Sequence, residues 1–140
     1  MNAIDTNVLL YFVDVDEPTK QSKAAALLTR LGTLGTPAIL LWQVAAEFAA
    51  GLCRWENKGK LTSAERISHW RTAEMTFPII AFPQSNLVPA AFDLADRHSL
   101  SYWDALLLAA CIEAGVDTLY SEDLSDGVVY DGVQVTNPFV

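Results

Sequence analysis

The hydrophobic positions of the chain alternate between short unbroken apolar runs and longer stretches with helical periodicity. The apolar runs at 38–41 and 78–82 predict buried strands, because a half-exposed strand alternates apolar with polar residues. Further strands are expected directly before Asp5 and at 118–120 and 133–135. The periodic stretches predict helices at 7–13, 19–31, 43–58, 61–75, 87–98 and 101–114.

The order of these segments predicts an α/β fold. Strands that alternate with helices form a mostly parallel sheet between layers of helices. The sequence has no repeat, low-complexity tract or linker, so we expect one domain over residues 1–140. Two boundaries have clear signals. Thr62 and Glu65 have the spacing of a helix-starting capping box, and Gly32 and Gly35 are expected to end the second helix.

The composition narrows the class of protein. Of 140 residues, 51% are hydrophobic and 19% are charged, which is typical of a globular domain with a sizeable core. The net charge is −8, so a protein that only coats nucleic acid is not expected. The acidic charge does not exclude an enzyme that acts on nucleic acid, since a bound cation reverses the charge at its site.

The cysteines and the chain start bear on location. Cys53 and Cys111 lie far apart in apolar helical segments, and we expect both to be buried and reduced, as in the cytosol. Asp5 interrupts the only candidate signal-peptide core, and no basic residue precedes it. No apolar run is long enough to predict a membrane span.

Four carboxylates stand at or near the boundaries of these elements. Asp5 and Asp123 follow predicted strands, Asp104 opens a helix, and Glu47 lies early in a helix that follows a strand. The carboxyl edge of a parallel sheet is where α/β proteins bind ligands. We therefore predict that all four converge on one concave patch at this edge.

Each carboxylate also has a simpler interpretation. Asp5 is a good helix N-cap, and Asp104 completes a capping-box spacing with Ser101. Glu47 shares a helical stripe with other polar residues that solvent can cover, and Asp123 lies in a turn-rich segment. Against capping alone, Asp104 shares its helix face with apolar residues that should be buried, where an unpartnered carboxylate is costly.

Other polar and aromatic residues are weaker candidates for a functional role. Thr6 and Ser121 lie beside the acids and are expected to support them, with Glu122 and Asp126 as weaker candidates for that role. The two histidines are isolated and have no ligand spacing. A basic segment could track a nucleic-acid backbone or simply be a solvated face. The four tryptophans are expected in the core or at an interface. The histidines are His69 and His98. The basic segment contains Arg54, Lys58, Lys60, Arg66 and Arg71, and the tryptophans are Trp42, Trp55, Trp70 and Trp103.

Carboxylates without His or Cys point to a hard cation, Mg²⁺ or Mn²⁺. Such a site activates water and stabilises charge on a phosphoryl group, so a phosphodiester is the natural substrate. A nuclease of another kind, acting on DNA or in RNA processing, and a non-catalytic acidic binding module are the alternatives. The module would need no metal and would cleave nothing.

In order along the chain, MNAIDTNVLLYF, QVAAEF, SLSYWDALLLAA and LYSEDLSDG resemble the four blocks of PIN-domain ribonucleases. The resemblance is strongest to VapC-type toxins of toxin–antitoxin pairs and covers essentially the whole chain. It implies a three-layer α/β/α sandwich and an acidic site of Asp5, Glu47, Asp104 and Asp123 that binds Mg²⁺ or Mn²⁺, supported by Thr6 and Ser121. It also implies a metal-dependent endoribonuclease that dimerises and is inhibited by a cognate antitoxin.

The sequence departs from the family in one place. The helix that carries Glu47 often opens with Ser or Thr, whereas this chain has Leu41 and Trp42 there. The start of that helix is therefore uncertain, while the carboxylate is present. The high apolar fraction predicts self-association, through the helices between Thr19 and Met75.

Overall fold

The computed structural model describes residues 1–33, 35 and 37–140. Within these ranges the chain forms six helices and six strands. The strands are β1 (Asn2–Ile4), β2 (Ala38–Leu41), β3 (Ile79–Ile80), β4 (Thr118–Tyr120), β5 (Val129–Tyr130) and β6 (Val133–Thr136). The helices are α1 (Thr6–Val13), α2 (Pro18–Thr33), α3 (Trp42–Asn57), α4 (Ser63–Thr76), α5 (Gln84–His98) and α6 (Tyr102–Ala114). The predicted α/β class is confirmed.

The sheet has the order β3-β2-β1-β4-β6-β5, and every pair except β5–β6 is parallel. From β1 to β3 the chain moves toward one edge through α1–α4, and α5 and α6 then carry it back to β4. Because such crossovers are right-handed, the two sets of helices cover opposite faces of the sheet. The strand order reverses between β1 and β4, which is where open α/β sheets place their ligand sites.

The core centres on β1, β2 and α6. Every residue of β1 and β2 is buried, as expected for strands covered on both faces. Seven consecutive residues of α6, Ala105–Cys111, are also buried, because α6 packs against both the sheet and α5. No helix in the described part of the chain has the length and apolar character to cross a membrane.

Most helix boundaries follow their sequence signals. Thr62 and Glu65 form the predicted capping box, and Ser101 caps α6. The second helix begins one residue early, at Pro18, which suits the first helical turn because proline lacks only an N–H that would be unpaired there. Gly32 lies inside this helix and does not end it, so that prediction is wrong. Gly35 lies beyond the helix, between two residues outside the described ranges.

Three further predictions need correction. The strand expected at 78–82 contains only Ile79–Ile80, which are half-buried because β3 is the edge strand and pairs with β2 alone. The helix expected from Leu87 begins at Gln84, directly after Pro83. Cys53 is exposed, because α3 turns Gly51 and Leu52 toward the core and Cys53 away from it. Cys111 is buried as expected.

The sequence interpretation also missed β5. Asp131 and Gly132 join it to β6, with φ angles of 47° and 92°. A two-residue turn with both φ angles positive favours Asp-Gly and matches the twist of an antiparallel hairpin. Arg97 on α5 donates two hydrogen bonds to the Asp131 carboxylate and fixes this turn to the helix.

Candidate metal centre

Asp5 lies at the boundary of β1 and α1, at the strand-order reversal. It is the N-cap of α1, and its Oδ1 accepts a 2.7 Å hydrogen bond from the Thr6 amide. Its Oδ2 accepts a 2.6 Å hydrogen bond from the hydroxyl of Ser121, which follows β4. The capping interpretation is therefore correct, but it uses only one carboxylate oxygen. The residue is 6% exposed, so its second oxygen is held by a cross-strand partner in the interior.

Glu47 reaches the same place from α3. This helix begins at Trp42 with no side-chain cap on Leu41, which settles the uncertain start and keeps Glu47 in the second turn. The Thr6 hydroxyl donates to Glu47 Oε2 at 2.9 Å, and the Gln43 amide donates to Oε1 at 3.3 Å. Glu47 is exposed, as its stripe suggested, yet it is tied to the residue next to Asp5.

Asp123 is joined to the cluster through Ser121. The Asp123 amide donates to Ser121 Oγ at 3.1 Å, and Ser121 is fully buried. Ser121 thus forms a hydrogen bond with one of the acids, Asp5, from the end of the neighbouring strand. The two weaker candidates have other partners: Glu122 pairs with Lys20, and Asp126 Oδ1 accepts from the Asn137 amide at 2.7 Å.

Asp104 lies in the first turn of α6, and its amide donates to Ser101 Oγ at 3.2 Å. Across the described ranges, no hydrogen bond uses its carboxylate, so the capping box is only half formed. The link to the other acids is indirect. Gln43 Nε2, which contacts Glu47, also donates to the backbone oxygen of Trp103 at 3.1 Å. Because α6 leads into β4, its first turn lies toward the carboxyl edge of the sheet.

The electrostatics of the cluster centre on Asp5. The pKa of Asp5 is raised from its ordinary value of 3.8 to about 6. Burial is the largest cause, and the nearby charges of Asp123 and Glu47 add to it, while the Ser121 and Thr6 hydrogen bonds oppose the shift. Burial also raises the pKa of the Cys111 thiol, with the Asp5 carboxylate adding to the effect. Negative charge at this position is therefore destabilising without a cation.

The donor set suits a hard cation, since carboxylate and hydroxyl oxygens are what Mg²⁺ and Mn²⁺ prefer. A finished cage is nevertheless absent: in the described ranges, no three Asp, Glu, His or Cys side chains stand close enough to hold one ion. The hydroxyls of Thr6 and Ser121 donate hydrogen bonds to carboxylate oxygens of Glu47 and Asp5, respectively. Thr6 thus links Asp5 to Glu47, and Ser121 links Asp5 to Asp123. Asp104 shares neither of these partners.

Two surface cavities lie near these helices. An open groove of about 410 Å³ borders Glu47 and is formed by residues near the starts of α3, α5 and α6, including Trp42 and Trp103. A second cleft, of about 350 Å³, lies among α1–α4 and is mostly apolar. None of the four carboxylates lines the second cleft, whereas Glu47 lines the first groove.

The basic residues contribute less than the sequence allowed. Lys60 pairs with Asp14 at 2.7 Å, and Arg66 pairs with Glu56, so two of the five cations in the basic segment are already engaged. Sequence reasoning missed Gln43 as a link between Glu47 and α6. The only signal was its position four residues before Glu47, where helical side chains meet.

A model of the PIN domain family matches residues 3–125 of the chain. No curated protein matches it by sequence. Among solved structures, the chain is similar to a toxin–antitoxin complex from Klebsiella pneumoniae, with a TM-score of 0.68 and 20% identity over 99% of this chain and 98% of the other.

Two further structures have the same fold. VapBC2 from Rickettsia felis, bound to a promoter DNA fragment, has a TM-score of 0.68 and 13% identity, with 97% of each chain covered. VapC20 from Mycobacterium tuberculosis, a toxin that cleaves the sarcin–ricin loop, has a TM-score of 0.60 and 15% identity, with 88% and 90% covered.

Proposed function

This chain belongs to the PIN domain family, and from that premise we propose that it is a metal-dependent endoribonuclease and the toxin of a toxin–antitoxin pair. PIN domains are nucleases, which supports hydrolysis of a phosphodiester. The observation that carries the proposal is the buried Asp5 carboxylate, with Glu47 and Asp123 close enough to raise its pKa. An acid in that position is costly unless a cation or substrate uses it.

We propose that Asp5, Glu47, Asp104 and Asp123 hold Mg²⁺ or Mn²⁺. The bound ion would lower the pKa of a water molecule and offset the charge that develops on the phosphoryl group. The protein's own part is orientation. Ser121 and the Thr6 amide hold the two Asp5 oxygens, and the Thr6 hydroxyl holds Glu47, so both carboxylates are fixed before any ligand arrives.

The test is cleavage of a mixed RNA pool and a matched single-stranded DNA pool, each with Mg²⁺, with Mn²⁺ and with chelator. We expect cleavage of RNA that needs the metal and stops with chelator. Cleavage of DNA in preference to RNA would favour a nuclease of another kind. No cleavage of either pool, with no effect of metal, would favour the acidic binding module.

Replacing Thr6 with Val should lower RNA cleavage by about 10- to 100-fold, the usual cost of losing a group that orients a metal ligand. The change removes the hydroxyl that donates to Glu47 and keeps the β-branched shape. The Thr6→Ser protein is the matched control and should retain most activity. Initial rates at saturating Mn²⁺ measure both, and equal activity of the Val and wild-type proteins would show that this hydrogen bond does not support the site.

We propose a small antitoxin as the protein partner, because one similar structure is a toxin–antitoxin complex and another is VapBC2. The partner should be encoded beside this chain. Co-expression with a small upstream reading frame should then give a stable complex with reduced RNA cleavage.

We also propose a homodimer. The helices between Thr19 and Met75 expose Ile67 and Met75, at 44% and 84%, which is costly for a monomer. Light scattering at micromolar concentration should give twice the 15.3 kDa mass of one chain. Replacing both residues with Ser should shift the mass toward the monomer, and a wild-type monomer would contradict the proposal.

A further inference from the structure

The groove beside Glu47 is bordered by two exposed tryptophans from different helices. Trp42 is the first residue of α3 and is 47% exposed, and Trp103 is the second residue of α6 and is 63% exposed. Gln84, the first residue of α5, also lines the groove. Large aromatic side chains are seldom left this exposed together without a ligand or partner.

The groove adjoins the acidic cluster through a shared wall. Glu47 lines the groove and also accepts the hydrogen bond from Thr6, whose amide donates to Asp5. A molecule in the groove therefore lies next to the place where a phosphodiester would be cleaved. Of the described residues that line it, Glu47 alone carries a formal charge. A phosphate or an acidic peptide is thus disfavoured, and a neutral, flat ligand is favoured.

The wall is already ordered. Gln43 Nε2 donates to Glu47 and to the backbone oxygen of Trp103, which ties α3 to α6. Both partners are acceptors, so the amide cannot be flipped. This leaves Gln43 Oε1 as a buried acceptor with no hydrogen-bond partner in the described residues. The Trp103 ring in turn contacts Tyr102, with centroids 5.2 Å apart. A wall formed by two exposed indoles and held by these hydrogen bonds suits a planar ligand that stacks on aromatic rings.

We propose that this groove binds one unpaired nucleobase of the RNA substrate against Trp42 and Trp103, beside the scissile phosphodiester. The proposal rests on the nuclease function above and adds its substrate class, an RNA with an unstacked base next to the cleavage position. Stacking on aromatic side chains is how proteins commonly hold unpaired bases. Structured RNA whose bases all remain paired would then be a poor substrate.

The test uses the four indole N–H signals of the protein in ¹H–¹⁵N spectra, assigned with single Trp→Phe variants. Uncharged nucleosides, adenosine and cytidine, are titrated to millimolar concentration without metal, with ribose as control. We expect the Trp42 and Trp103 signals to shift with both nucleosides and not with ribose, while Trp55 and Trp70 stay in place. Equal shifts with ribose, or no shift at Trp42 and Trp103, would overturn the proposal.

Cleavage gives a second measurement. Trp103→Ala should raise the KM for unstructured RNA by roughly tenfold with little change in kcat, because a lost stacking contact weakens ground and transition states alike. Phe92→Ala is the control, since it removes another exposed aromatic that does not line the groove. An unchanged KM in Trp103→Ala would overturn the proposal.

These experiments distinguish failure of the base-binding proposal from failure of the proposed nuclease function. Nucleoside shifts in a protein that cleaves nothing would leave the base site standing and remove the nuclease assignment. Cleavage of RNA without those shifts would support the nuclease assignment and overturn the proposed base site. If the Trp42 and Trp103 signals instead move with protein concentration, and Trp103→Ala lowers the mass in light scattering, the groove is an interface between two copies and the proposal is wrong.

Discussion

The Asp5→Asn and Asp104→Asn proteins should each cleave RNA at least about 100-fold more slowly than the wild type, because each loses a charged oxygen ligand of the proposed metal. Asn keeps the size of the side chain, and it caps a helix nearly as well as Asp. The cap of α1 should therefore survive, with the Thr6 amide still bonded to a side-chain oxygen. If the two acids only cap helices, both changes will leave cleavage unaltered.

The matched control is Asp126→Asn. Asp126 lies three residues after Asp123, but its Oδ1 accepts from the Asn137 amide, a bond that Asn can keep. This variant should cleave RNA at the wild-type rate. Rates are compared at saturating Mn²⁺ after circular dichroism has shown that each protein is folded. Equal losses in all three variants would mean that charge on this surface, rather than a specific site, supports cleavage.

Without metal, the wild-type protein should lose stability as pH rises from about 4 to 7, and Asp5→Asn should remove that loss. The pKa of Asp5 is raised to about 6 by burial first and by its acidic neighbours second. The folded state then binds more protons than the unfolded state between 3.8 and 6, so the free energy of unfolding falls across this window. The full effect is at most about 3 kcal/mol, from 1.36 kcal/mol per pKa unit.

Urea unfolding in chelator measures this difference. At pH 8 the Asp5→Asn protein should be the more stable of the two, and its advantage should shrink as the pH is lowered to 4. Saturating Mn²⁺ should restore the wild type at pH 8, because a ligand that binds only the folded state stabilises it. A difference between the two proteins that does not depend on pH would show that the ionised Asp5 carboxylate is not destabilising.

The fold was largely predictable because local pattern and topology agree. The apolar run of AILL identified β2, short segments between predicted helices identified β1, β4 and β6, and the alternation of strands with helices implied the parallel order. The failures lie where the pattern is short. Ile79–Ile80 belongs to a longer apolar run, but an edge position leaves only two residues paired. The hairpin of β5 was missed although Asp131-Gly132 is its clearest signal.

In the candidate site, contacts at strand ends were predictable from the sequence, and contacts between side chains on helices were not. Asp5 and Ser121 each follow a strand directly, and since β1 and β4 are neighbours, their contact follows from the sheet. Side chains on helices are harder to place. Gln43 meets Trp103 across 60 residues, and Lys20 meets Glu122 across 102, so neither contact leaves a local trace in the sequence.

The most direct test of the central claim concerns Asp104, which, unlike Glu47 and Asp123, is not among the charges that raise the pKa of Asp5. The melting temperatures of wild-type and Asp104→Asn proteins are measured with chelator and across a Mn²⁺ titration. If the four acids share one cation, Mn²⁺ should raise the wild-type melting temperature, and Asp104→Asn should need at least about tenfold more Mn²⁺ for the same rise. An identical Mn²⁺ dependence in the two proteins would contradict the account and leave Asp104 as a residue of the helix start alone.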